Sequence, residues 1–186
     1  MAIKTFTTGE VLTAADTNTY LANSGLVYIT SGSFSGTTNI DGIFTSTYDN
    51  YRIVATGLGG TVGGLSNFNF RNTSNATDSS NVYYTAARRF DSGTNYDFSQ
   101  GALTYATTAI NVATGAISGF VMDIFSPRLS TFTFINLAGM GAISAISTVQ
   151  SNSYFGATTA FAGIQFTQSS GSLNAGTYTV FGYRKA

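Results

Sequence analysis

The chain has 186 residues, enough for one domain with a proper core, and 43% of them are hydrophobic. Only 9% are charged, against roughly 25% in an ordinary globular protein, and the formal net charge is zero. That balance argues against a nucleic-acid binder, which draws on a Lys/Arg surplus, and leaves the surface to be wetted by Ser, Thr, Asn and Gly. Such a surface repels its own kind weakly and tends to associate. The chain has no His and no Cys. The usual zinc ligands and the usual catalytic base are therefore missing, no disulfide framework exists, and no cofactor or metal is expected.

Residues 1–25 differ from the rest. An extended arm, Ile3 to Leu12, leads to Thr13-Ala14-Ala15-Asp16, which matches a capping box. The spacing predicts a helix over about Ala14 to Ala22, ending at Asn23-Ser24-Gly25. A helix this short is stable only when docked. The arm's apolar residues, Phe6, Val11, Leu12, Tyr20 and Leu21, are its candidate contacts with its own domain or a neighbouring subunit. MAIKTFTTGE is polar, so no secretory signal is read there and synthesis in a cytoplasm is expected.

From Leu26 the pattern is strands and turns. Leu26–Thr30 reads as a first strand and Ser31–Thr38 as a Gly/Ser turn region. Tyr48–Thr56 is the strongest strand: Tyr51, Ile53 and Ala55 face one way, Asn50, Arg52 and Val54 the other. The Gly-rich GLGGTVGGLSN that follows lacks both the P-loop lysine and the GxGxxG spacing, and reads as a flexible connection. Phe68 and Phe70 alternate with Asn67, Asn69 and Arg71, which predicts an apolar inside and a polar outside. Strands follow at Asn81–Phe90 and Tyr96–Tyr105, joined by a turn at Asp91–Asn95, then at Ile117–Phe125 and Thr131–Leu137, joined through the only proline, Pro127. Ile143–Val149, Phe161–Thr167 and Thr177–Tyr183 complete the set, with a last turn at Asn174-Ala175-Gly176. The apolar tract Ile135–Val149 is shorter than the roughly 20 residues of a membrane helix and is broken by Asn136, Gly139 and Gly141, so no membrane partner is expected. About ten short strands with regular turn signals predict an all-β, two-sheet antiparallel sandwich of jelly-roll type over 26–186.

Three segments also carry a resemblance. FTTGEVLTAADTNTYLAN, from Phe6 to Asn23, resembles the opening of many tailed-phage virion proteins. IFTSTYDNYRIV, from Ile43 to Val54, and the closing GTYTVFGYRK, from Gly176 to Lys185, resemble strands of a family of small phage β-sandwich proteins. The resemblance implies a trimeric jelly-roll module on the outer surface of a virion, made in the host cytoplasm. Its partners would be its own copies and the major capsid or tail proteins. The leading reading is a capsid decoration (cement) protein stabilising the head. The alternative is a tail-fibre or tail-tip module holding host surface glycan on its loop tips. No catalytic residue comes with the resemblance.

Individual residues admit competing readings. Arg88-Arg89 could touch an acidic capsid surface or an anionic glycan, or be a solvated strand end paired with Asp91 or Asp97. Asp91 and Asp97 could form a glycosidase pair, but both flank a turn where Asp is ordinary, and the chain is read as non-enzymatic. Tyr48, Tyr51, Tyr83, Tyr84, Tyr96 and Tyr154 could make a sugar-stacking platform, or core and interface, which is the favoured reading. The Gly/Ala/Ser-rich run Ala138–Ser147 reads as tightly packed strands or a close subunit contact.

Overall fold

A computed structural model describes residues 7–11, 13, 25–91, 93–115, 117–142 and 146–185. Twelve strands run β1 (Leu26–Ser33), β2 (Thr38–Ile40), β3 (Asn50–Gly60), β4 (Gly64–Arg71), β5 (Tyr83–Asp91), β6 (Thr94–Leu103), β7 (Ala106–Val112), β8 (Ser118–Phe125), β9 (Thr133–Ala142), β10 (Ile146–Phe155), β11 (Gly163–Gln168) and β12 (Leu173–Tyr183). All pairings are antiparallel. The described residues contain no helix, and the helix predicted over Ala14–Ala22 lies outside them.

The sheet orders are β1-β12-β3-β8-β9-β10-β5-β6 and β2-β11-β4-β7. Removing two hairpins makes the logic plain. Strands β1-β12-β3-β8 lie over β2-β11-β4-β7, so the chain pairs 1 with 12, 2 with 11, 3 with 8 and 4 with 7. That is one long hairpin rolled into two sheets, the jelly roll. The β5–β6 hairpin is inserted between β4 and β7, and β9–β10 between β8 and β11. The two insertions meet where β10 pairs with β5. They widen one sheet to eight strands while the other keeps four. β7, the edge of the small sheet, packs across β9, β10 and β5 and closes the core beneath the extension.

Alternation decides which face is buried. In β3, Tyr51, Ile53 and Ala55 are at most 1% exposed while Arg52 and Val54 are half-buried on the outer face. Phenylalanine dominates the filling. Phe70 stacks on Phe161 at 4.6 Å, Phe44 meets Tyr51 edge-on at 4.8 Å, and Phe120 of β8 faces Phe166 of β11 across the sandwich at 5.8 Å. Each such burial contributes about 1.5–3 kcal/mol relative to exposure, and edge-to-face geometry adds to it.

Four expectations are corrected. The polar face of β4 is covered: Asn67, Asn69 and Arg71 are 5–7% exposed. Asn69 Nδ2 donates to the carbonyls of Asp78 and Thr104, and Arg71 reaches Asp41, Thr77 and the Asn75 carbonyl, so the segment after β4 folds back over that face. The Gly-rich stretch is mostly strand, with only residues 61–63 turning between β3 and β4. Asn174-Ala175-Gly176 is not a turn but a double register shift inside β12. There Gly176 has φ 104°, and a Cβ would sit 2.8 Å from Leu58 Cα, so the position requires glycine. Two strands, β2 and β7, fall in segments not read as strands.

Candidate interaction surface

The outer face of the eight-stranded sheet gathers most of the exposed aromatic and aliphatic side chains. Cross-strand register arranges it in rows. One row runs Val54–Val121–Ala138–Gln150–Arg88–Asp97. The next runs Arg52–Asp123–Asn136–Asn152–Ala86–Ser99, and the one beyond it Phe125–Phe134–Tyr154–Tyr84. Side chains in such rows stand about 5 Å apart and act together.

An apolar patch lies at the β3–β8–β9 end. Val54 and Ala138 flank Val121, and Met140, Ile117 and Ile146 stand beside them, 50%, 71% and 64% exposed. A shallow groove of about 550 Å³ runs between Val54, Val121, Ala138, Met140 and Ile117, and no charged side chain lines it; Ile146, opposite Ala142, stands outside it.

The middle row begins with an ion pair. Arg52 donates Nε and Nη2 to the two carboxylate oxygens of Asp123, both at 2.7 Å, and Tyr183 Oη donates to Asp123 Oδ1 at 2.6 Å. Burial pushes the Asp123 carboxyl up, but these hydrogen bonds and the Arg52 charge outweigh it and hold it below the usual carboxylate range. Burial and the same carboxylate push the Tyr183 hydroxyl up to about 12.

The aromatic row forms a wall. Tyr84 and Tyr154 stack at 4.6 Å with 5° between their planes, and Phe134 stands 6.3 Å from Tyr154. At its foot lies a depression of about 610 Å³ floored by Asn136, Asn152, Ala86 and Ser99. Of the six tyrosines singled out in the sequence, only Tyr84 and Tyr154 come together here. Tyr51 and Tyr83 are core, Tyr48 packs on the core, and Tyr96 lies on the opposite face of the β5–β6 hairpin.

The two arginines separate. Arg88 points outward, bidentate to Asp97 at 2.6 and 2.9 Å, with both side chains about 60% exposed. Its guanidinium holds the Asp97 carboxyl below its usual range. Arg89 points to the other face, donates to Asp91 at 3.0 Å and to Asn111 at 3.3 Å, and lies 4.7 Å over the Tyr96 ring. Asp91 and Asp97 therefore occupy opposite faces of the hairpin, each engaged by an arginine, and do not converge on a common substrate position. Val11 is 79% exposed; Phe6, Leu12, Tyr20 and Leu21 lie outside the described residues. Among the described residues no group of three acidic, His or Cys side chains could hold a metal, and no helix is long and apolar enough to cross a membrane.

Phe125, Phe134 and Asn152 were not among the residues singled out in the sequence, and Asn136 was noted only as a break in an apolar tract. The signal was the period-two repeat Phe134, Asn136, Ala138, Met140, but Ile135 and Leu137 between them are apolar too, so alternation did not reveal which set faced out. Comparisons with protein-family models, with curated proteins and with solved structures find no match.

Proposed function

We propose that this chain is a structural protein of a tailed-phage virion: a homotrimeric jelly-roll module that decorates the capsid exterior and ties neighbouring capsomers together, without catalytic chemistry. The observation that carries the self-association is the apolar patch of Val54, Val121, Ala138, Met140, Ile117 and Ile146 on the outer sheet face. A contiguous apolar patch on a neutral surface marks a face that a protein covers. Three copies around an axis would each present this face to a neighbour, and such a trimer fits three-fold and quasi-three-fold positions of an icosahedral shell. The phage setting rests on the three sequence segments described above. In this reading residues 1–25 anchor the trimer to the shell, with Phe6, Val11, Leu12, Tyr20 and Leu21 as contacts, and Arg88 and Arg89 have structural ion-pair roles.

Light scattering tests the trimer. The intact protein should have a mass about three times the 19.5 kDa of the chain at micromolar concentration. Met140→Asp, which places a carboxylate in the patch without touching the core, should release folded monomer. A monomeric wild type, or a trimer indifferent to Met140→Asp and to Val121→Asp, would remove the patch as the assembly face.

A further inference from the structure

The rows of the outer face also build a trough that the apolar patch does not include. Its floor is Asn136, Asn152, Ala86 and Ser99, one from each of β9, β10, β5 and β6. One wall is the aromatic row Phe134, Tyr154 and Tyr84, with Phe125 at its end. The opposite wall is Gln150 and the Arg88–Asp97 pair. The trough crosses strands β8 to β6, four inter-strand spacings or roughly 19 Å.

We propose that this trough binds a neutral oligosaccharide, laid across the strands. The chemistry on each side fits that ligand. Sugar rings present C–H groups, and the wall offers exposed aromatic rings, Phe134 54% and Tyr154 40% accessible, with one face of Tyr154 already stacked on Tyr84. Sugar edges present hydroxyls that both donate and accept. The floor and far wall offer the Asn136, Asn152 and Gln150 amides, which do both as well, and which make no hydrogen bond within the chain among the described residues. The charged pair is internally neutralised, since Arg88 is bidentate to Asp97, so the site presents no net charge to attract an acidic polymer. A second protein copy fits less well, because unpaired amides in a buried protein contact would each need a partner. Small residues keep the floor open: a Cβ at Gly101, beside the wall, would meet the Tyr84 ring at 3.0 Å. The binding surface is thus a sheet face, where loop tips were expected.

Saturation-transfer NMR on the intact protein tests this with four neutral pentasaccharides, of α-glucan, β-glucan, mannan and chitin type, and a pentamer of galacturonic acid. At least one neutral pentasaccharide should receive saturation. Tyr154→Ala should weaken that binding roughly three- to tenfold, the worth of one aromatic contact, and Asn152→Ala should weaken it without touching the wall. Tyr28→Ala, at a more exposed tyrosine on the far edge of the sheet on β1, should leave it unchanged. Amide spectra check that each variant is folded, and Asn152→Ala decides the matter if Tyr154→Ala is not. No response from any neutral pentasaccharide, binding of the acidic pentamer alone, or binding that both trough variants leave at the wild-type level would overturn the proposal.

Discussion

Asp123 accepts hydrogen bonds from Arg52 and Tyr183 on a half-wet sheet face, and this sets a pH dependence. Its pKa in the folded chain lies below the unfolded value of about 3.9. In the window between the two, the unfolded chain binds the proton first. The stabilisation is therefore complete above about pH 4 and is lost as pH falls through the folded value. Asp123→Asn should cost about 1 kcal/mol at pH 7, discounting for the partial exposure of both partners. It should also flatten the decline of melting temperature between pH 5 and pH 2. Parallel declines in wild type and variant would show that other carboxylates carry the acid sensitivity. Tyr83 illustrates a residue whose role the sequence did not disclose. Its ring follows the favoured core reading, but the sequence did not show that its hydroxyl accepts from the Phe70 amide and donates to the Asp78 carbonyl, while burial raises its pKa strongly. That partner amide belongs to another strand, which local pattern does not reveal.

At the scale of elements, strands with one clean apolar face were legible. β3 shows its period in Tyr51, Ile53 and Ala55, and all ten strands read from the sequence overlap strands of the fold. β7 was not legible, because its Ala-Thr-Thr-Ala-Ile-Asn-Val sequence is buried almost throughout and has no alternation to find. β2 is only three residues long. The polar face of β4 misled for a tertiary reason: Asp41 from before the strand and Asp78 and Thr104 from after it satisfy Arg71 and Asn69. The arm is an element with its own prediction. β1 pairs from Leu26 onward, and the core cluster of described residues begins at Phe34. Deleting residues 1–24 should leave a β-rich trimer by circular dichroism and light scattering that no longer binds phage particles stripped of the protein. A truncated protein that still decorates those particles would move the anchor into the sandwich. One that no longer trimerises would make the arm a clamp between subunits.

At the scale of the molecule, two inserted hairpins turn a balanced jelly roll into a lopsided one. The four-stranded sheet, with β7 at its edge, seals the core, and the eight-stranded sheet offers a broad outer face. That face is divided between an apolar patch suited to self-association and a polar, aromatic-walled trough. The regular run of short strands and turn signals made an all-β sandwich legible in the sequence. The division of the face was not, because it depends on register between strands far apart in the chain, such as Asn152 opposite Ala86. The central claim concerns where the protein works, and copy number per particle tests it most directly. Quantitative mass spectrometry of purified virions, with the portal ring as internal standard, should count this chain in hundreds of copies per virion; a few dozen or fewer would place it in the tail, and absence from the particle would contradict a virion role altogether.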